Sequence, residues 1–334
     1  MDITYFLGAN SARGFYSLYE SFCRGEGDYL HIIKGGPGTG KSGFMKKLAA
    51  AAAAKGYAVE YTLCSGDPDS LDGIYIPKLR QGWVDGTAPH VMEPVRFGVD
   101  SDYVNLGALC AVPLKAKNHP EIKRTYKAYK DKYEIAYSYL KAAAQLRRAA
   151  ASASGPFDEA AFTAGLMRLL PDSDGKGSIA PVRRFFHALS CKGEIYLNEQ
   201  IIKLCKQYYV VSGALAHCER GMEIIASLCR DQRCIISPDP LEPEKTEAVL
   251  LPEAGIAFVR EGFKLPDGKR LQLSTEDKHS GEALELAEKM KRLAIGRLKE
   301  AKALHDELEA YYISAMDFDA LDKFTEGYIR SLFG

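Results

Sequence analysis

The sequence predicts an α/β protein built from two related halves, each a sheet-containing domain followed by a helical extension. Three observations support this prediction. A glycine-rich loop joins a strand-like segment to a helix-like one, and its surroundings recur later in the chain. Two long stretches also carry apolar residues at the spacing of an α-helix. The expected fold is therefore an internal duplication.

The bulk composition limits the classes of protein to consider. The chain has 334 residues, enough for two domains of ordinary size, with 46% hydrophobic and 26% charged residues, as in soluble globular proteins. Its 44 basic and 44 acidic residues cancel, so bulk charge does not direct it to nucleic acid. There is no signal-peptide pattern and no apolar run approaching the roughly 20 residues that span a bilayer. We expect a cytoplasmic protein without a membrane partner.

Eight cysteines occur without any C-x-x-C pair. This spacing favours free thiols over a zinc site or a disulfide framework.

The strongest local signal is the segment "IIKGGPGTGKSGFM". It fits the pattern G-x-x-x-x-G-K-S/T, follows the strand-like "YLHIIK" and precedes the helix-like "SGFMKKLAAAAAAKG". Phosphate binding requires this order, because glycines turn backbone N–H groups inward and the helix N-terminus adds positive charge. The residues expected to cradle the phosphates are Gly35, Gly36, Pro37, Gly38, Thr39, Gly40, Lys41 and Ser42.

Side-chain chemistry assigns roles within this loop. Lys41 is expected to reach the β- and γ-phosphates, and Ser42 to ligate Mg²⁺. Asp85, in "GWVDGTAPH", is the first candidate for the second Mg²⁺-holding residue, and Asp67 is the lesser one. Aspartates beside Pro and Gly also initiate turns, which is the alternative. His90 is a weaker candidate for orienting water or phosphate. The expected ligands are a nucleoside triphosphate and Mg²⁺; no N/T-K-x-D guanine signature is visible, and these residues alone do not tell ATP from GTP.

A second set of similar segments follows in the same order, with Gly213 lying 178 positions after Gly35. Five weak matches in one order predict a duplication. The other matched pairs are Gly14 with Gly193, Asp67-Pro68 with Asp239-Pro240, Pro77 and Trp83 with Pro252 and Phe258, and Phe162–Arg168 with Phe324–Arg330.

Aligned without a gap, the second loop "VVSGALAHCERGME" places Glu219 at the position of Lys41 and Arg220 at that of Ser42. A carboxylate there repels a triphosphate, and the lost glycines deny the backbone its turn. We therefore expect the second loop to be degenerate. Arg220 and Arg13 are candidates for a positively charged finger that acts at the first site.

The helical extensions begin at residues 119 and 276. In the first, Ile122, Tyr126, Tyr129, Tyr133, Ala136 and Leu140 form the expected packing seam; in the second, Leu286, Met290, Leu293, Leu304 and Leu308 do. The expected domains are residues 1–118, 119–172, 181–275 and 276–334, with a linker at residues 170–181. "KLPDGKRL" is expected to form a hairpin turn.

Residues 115–148 contain ten Lys/Arg, three Asp/Glu and interleaved tyrosines. A nucleic-acid-binding helix has this composition. We favour a helix whose charged face is solvated and whose tyrosines pack against the rest of the protein. Binding of nucleic acid by this helix is the lesser alternative.

Four segments in order, "GANSARGFYS", "KGGPGTGKS", "CSGDPDSLDG" and "WVDGTAPH", resemble an uncharacterised family of bacterial cytoplasmic P-loop ATPase-like proteins with tandem P-loop halves. The resemblance implies ATP binding at residues 35–42 and a contribution from "DGTAPH". Mg²⁺-dependent ATP hydrolysis coupled to a conformational change is the expected function. The alternatives are a small-molecule or nucleotide kinase and a nucleotide-binding switch with negligible turnover. A small-molecule or protein partner also stays open.

Overall fold

A computed structural model of the chain describes residues 1–89, 91–110, 119–152, 155–171, 181–230, 232–273 and 281–334. Helices and mixed sheets alternate along these ranges, which confirms the predicted α/β class. In the described ranges no helix combines the length and apolarity needed to cross a membrane. The helices are α1 (Lys41–Ala54), α2 (His119–Ser152), α3 (Glu159–Leu166), α4 (Asn198–Leu204), α5 (Leu215–Leu228), α6 (Gly281–Ile313) and α7 (Phe318–Phe333).

The first sheet has six strands, and its third strand is antiparallel to both neighbours while the other pairs are parallel. Its apolar strand β4 (Tyr29–Lys34) is buried on both faces. Leu30 and Ile32 face a core shared with the second half, and Ile33 faces the side that α1 covers. In spatial order the strands are β1 (Ile3–Phe6), β5 (Glu60–Leu63), β6 (Leu71–Ile76), β7 (Gln81–Asp85), β4 (Tyr29–Lys34) and β8 (Ser101–Asn105).

The second sheet repeats this order and these directions strand for strand. The expected hairpin around "KLPDGKRL" is wrong, because the last strand, β16 (Lys269–Gln272), pairs in parallel with β12 (Gln207–Ser212) and not with the strand that precedes it in sequence. In the corresponding order the strands are β9 (Val182–Arg183), β13 (Ile235–Pro238), β14 (Thr246–Leu251), β15 (Ile256–Arg260), β12 (Gln207–Ser212) and β16 (Lys269–Gln272).

Two small hairpins lie where the halves meet: β2 (Gly8–Ser11) with β3 (Gly14–Ser17), and β10 (His187–Ser190) with β11 (Gly193–Tyr196). Both turns use a glycine with positive φ, 88° at Gly14 and 106° at Gly193, where other residues are strained. In both turns the serine hydroxyl at the end of the first strand donates to the carbonyl of that glycine.

The long helices α2 and α6 pack against each other antiparallel, as the pairs Glu121–Tyr311 and Lys132–Glu300 show. Small side chains form much of their buried seam, which lets the two backbones approach closely. The seam predicted for α6 is confirmed only in part, because Leu308 is buried and Met290 packs against the core, whereas Leu286 and Leu293 are exposed. The buried residues of the pair include Ala136, Leu140, Ala143, Ala144, Ala287, Ala294, Leu298, Ala301 and Leu308.

Helix α3 follows α2 in sequence, and helix α7 follows α6. Each of these two short helices covers the sheet of the other half. Helix α3 places Phe162 and Leu166 in the core around Met222 of the second half. Helix α7 places Leu321 and Tyr328 against the α1 side of the first sheet. The helical extensions are thus exchanged between the halves.

Candidate functional site

The glycine-rich loop connects the carboxyl end of β4 to the N-terminus of α1. Gly38 and Gly40 have φ values of 70° and 83°, a left-handed backbone that favours glycine. The buried Thr39 donates its hydroxyl to the carbonyl of Gly36 at 2.8 Å, which closes the turn. The loop thus has the bent backbone that its glycines predict.

Lys41 and Asp85 meet at this loop. The parallel pairing of β4 with β7 aligns Ile33 with Asp85, so Asp85 emerges beside the loop. The Lys41 ammonium lies 3.6 Å from Asp85 Oδ2, and the two side chains are 11% and 15% exposed. The ammonium also donates to the carbonyls of Gly35 and Gly36 at 3.1 and 2.7 Å. A cation and a carboxylate therefore share a mostly buried position at the loop.

The other two predicted oxygen ligands, Ser42 and Asp67, have other partners. Ser42 Oγ accepts from the backbone N–H of Leu71 at 3.0 Å. Asp67 forms an ion pair with Lys302 of α6 at 3.4 Å. Of the two aspartates proposed for the metal, Asp85 is thus the one paired with Lys41. His90 lies outside the described residues.

Helices α6 and α7 pack against the glycine-rich loop. The sequence did not predict this contact. A Cβ on Gly36 would lie 2.7 Å from the Tyr312 ring. A Cβ on Gly38 would lie 2.9 Å from the Glu309 carbonyl oxygen. Two of the loop glycines are therefore required by packing.

Three side chains of α6 near the loop, His305, Asp306 and Glu309, bring one potential ligand atom each to within 4.8 Å of one another. Burial lowers the pKa of His305, and the positive charges of Lys302 and Lys41 lower it further. The carboxylate of Glu309 raises this pKa but does not outweigh them. A neutral imidazole beside carboxylates can accept a proton or ligate a divalent cation.

The connection at the corresponding place in the second half is shorter. Six residues, 35–40, separate β4 from α1, whereas two residues, 213–214, separate β12 from α5. Both helices have 14 residues, and their C-caps, Lys55 and Cys229, share one backbone conformation. The gap-free alignment is therefore wrong, because the structure places Leu215, and not Glu219, opposite Lys41.

Glu219 lies one turn into α5, buried, and forms ion pairs with Arg147 at 3.4 Å and Lys245 at 3.2 Å. Arg260 occupies the position of Asp85, since β12 and β15 align it with Val211. The second half thus has an arginine where the first has its carboxylate.

The two finger candidates have partners elsewhere. Arg220 pairs with Glu159 of α3 at 2.8 Å and with Glu223 at 3.2 Å. Arg13 is mostly exposed and lies 3.2 Å from Glu244. In the part of the chain that the structure describes, neither has an ion pair to the glycine-rich loop.

All eight cysteines are free, and burial raises the pKa of the Cys205 and Cys229 thiols to about 12. Within the basic segment, Tyr133 and Tyr137 pack against the core between α2 and α6, whereas Tyr126 is exposed.

Comparison of the chain with protein-family models, with curated proteins and with solved structures finds no match. The geometry above is therefore the basis for assigning a function.

Proposed function

We propose that the chain binds ATP with Mg²⁺ at residues 35–42 and hydrolyses it, and that hydrolysis is coupled to movement of α6 and α7. The observation that carries this proposal is the position of Lys41 and Asp85, 3.6 Å apart beside a glycine-rich loop at a strand's carboxyl end. Nucleotides bind at such strand ends, where a helix N-terminus adds its positive dipole.

The donor set of the loop fits these ligands. The ammonium of Lys41 would exchange the carbonyls of Gly35 and Gly36 for phosphate oxygens. Ser42 and Asp85 are hard oxygen donors of the kind that Mg²⁺ prefers, and they would hold it. The bound metal would neutralise charge on the β- and γ-phosphates. The left-handed backbone at Gly38 and Gly40 supports inward-facing amides at the same place.

The packing of the loop supports the coupling to α6 and α7. Tyr312 lies against Gly36, the Glu309 carbonyl lies against Gly38, and Leu321 of α7 lies against Gly40. Any change in loop shape on binding phosphate is therefore transmitted directly to both helices. Because α6 and α7 belong to the second half in sequence, the nucleotide would link the two halves.

We also infer that the halves arose by duplication of one P-loop-type unit, of which the second has lost its loop. The matched strand orders of the two sheets support this inference. The equivalent turns at Gly14 and Gly193 support it independently.

Wild-type protein compared with Lys41→Ala tests the proposal. Calorimetric titration with Mg·ATP should give an affinity at least tenfold lower for the variant, and phosphate release without an added acceptor should fall to background. Lys46→Ala is the matched control, an exposed lysine of the same helix. Equal ATP binding by wild type and Lys41→Ala contradicts the assignment. Release that needs an added acceptor shows phosphoryl transfer instead of hydrolysis.

A further inference from the structure

A cavity of about 420 Å³ opens at the carboxyl end of β12, beside the two-residue connection 213–214. We call it the second-half cavity. Val211, Gly213 and Leu215 line it, together with Arg260 from the end of β15. These elements correspond to those around the glycine-rich loop. The cavity therefore lies where the shortened connection leaves space, and its volume suits a small molecule.

The wall of the second-half cavity is charged although it is largely buried. Basic side chains outnumber acidic ones among the wall groups that are at most 14% exposed. Glu261 and Glu288 also line the cavity but are half exposed. The buried wall groups are Arg147, His187, Arg260 and Lys291 on the basic side and Asp239 and Glu247 on the acidic side.

Three further acids lie near these groups but do not line the cavity. Glu194 pairs with Lys291 at 3.0 Å and with His187 at 3.4 Å. Glu219 and Glu242 both pair with Arg147. They balance the basic groups, and with Glu261 and Glu288 the lining has four basic and four acidic side chains, a mixed set that suits a molecule with both an anionic group and a donor.

His187 is one of the four basic groups of the wall. Burial by itself lowers its pKa, but the carboxylates of Glu247 and Glu194 outweigh burial and raise the pKa to about 9. The imidazole is therefore a cation at neutral pH. The N-terminus of α5, at Ala214 and Leu215, adjoins the same space and adds its positive dipole.

One wall atom lacks a partner. Glu247 Oε1 lies 2.9 Å from His187 Nδ1, whereas Glu247 Oε2 is buried without a hydrogen bond among the described residues. Buried acceptors are nearly always satisfied, so Glu247, which lines the cavity, retains the capacity to accept a hydrogen bond from an occupant.

We propose that the second-half cavity binds a small polar molecule that carries a carboxylate or phosphate group together with a hydrogen-bond donor. The anionic group faces Arg260, Lys291 and the start of α5, and the donor faces Glu247. This site is separate from the glycine-rich loop and does not depend on ATP binding there.

Calorimetric titration of the Lys41→Ala protein tests the proposal, because this background should bind phosphate at residues 35–42 at least tenfold more weakly. The probes are inorganic phosphate, succinate and L-aspartate. L-aspartate is succinate with an added ammonium group, so the pair isolates the donor. We expect millimolar or tighter binding of L-aspartate or phosphate, with L-aspartate binding at least threefold more tightly than succinate. Glu247→Gln should abolish that preference.

Two further variants in the same background act by different means. Arg260→Ala should weaken probe binding at least tenfold, and Leu284→Trp should block the cavity while keeping every charge. Arg233→Ala, on an exposed arginine of the second half, is the control and should bind as the background does. If Arg260→Ala fails to fold, Leu284→Trp decides. A cavity that binds none of the probes, or binding that survives Leu284→Trp, overturns the proposal.

Discussion

Arg147 and Asp239 form a buried ion pair between the two halves, with Arg147 Nη1 2.8 Å from Asp239 Oδ2. Burial raises the pKa of the Asp239 carboxyl, but Arg147 and Arg260 outweigh burial and hold that pKa well below its usual value. The first half has a similar contact, in which Lys302 of α6 pairs with Asp67. Each long helix thus places a cation against a turn aspartate of the other half.

Replacing Arg147 with Met should destabilise the protein by about 3–5 kcal/mol, because Asp239 and Glu219 would lose a partner inside the core. Urea unfolding measures this change. The control is Arg233→Met, which removes an exposed ion pair with Glu253. It should change the free energy of unfolding by less than about 1 kcal/mol. Equal losses of unfolding free energy in the two variants would show that the buried pair stabilises the protein no more than the exposed one.

The stability of the protein should fall between about pH 6.5 and pH 9, because His187 has a pKa of about 9 when folded and 6.5 when exposed. When the pKa is higher in the folded state, protonation stabilises the fold fully at pH values below the unfolded-state pKa. This stabilisation is lost as the pH rises through the folded-state pKa. The loss should be on the order of 3 kcal/mol. His187→Gln should remove most of this slope in urea unfolding at a series of pH values, and an unchanged slope contradicts the assignment.

Asp85→Asn should lower ATP hydrolysis at least tenfold, because the amide holds Mg²⁺ poorly. Asp67→Asn should have a smaller effect, since Asp67 pairs with Lys302 and not with Lys41. Phosphate release at saturating Mg·ATP measures both, and chelation of Mg²⁺ should abolish the wild-type activity. A larger loss in Asp67→Asn would reverse the assignment.

Trp83 is the one tryptophan of the chain, and its Nε1 donates to the Tyr328 hydroxyl of α7 at 3.0 Å. Its fluorescence should therefore change when ATP moves α7, and the change should be absent in Lys41→Ala. Tyr328→Phe should cost about 1 kcal/mol through the lost hydrogen bond. An emission spectrum that ATP leaves unchanged in wild type would argue against coupling through α7.

Arg220→Ala should leave phosphate release unchanged, because its guanidinium faces Glu159 and Glu223. The pair is about half exposed, so the loss of stability should be small. Slower turnover with unaltered ATP binding would instead support Arg220 as the positively charged finger that acts at the glycine-rich loop.

Local signals were sufficient for part of the fold. The apolar run before the loop and the alanine-rich run after it predicted β4 and α1, because burial and helix propensity act over a few residues. The seam of α6 was predicted only in part, since leucine and alanine both fit a buried face. The hairpin prediction failed because strand partners are chosen over long distances.

The sequence alone determined the α/β class, the glycine-rich loop with Lys41 and Ser42, and the repeated order of segments. These features depend on residue type and on spacing of a few residues. Only the tertiary structure decided that Asp85 meets Lys41, that α6 and α7 cover the loop, and that the second connection is shortened beside a charged cavity. Each of these is a contact between segments far apart in the chain, and such contacts are set by packing and burial of the whole core.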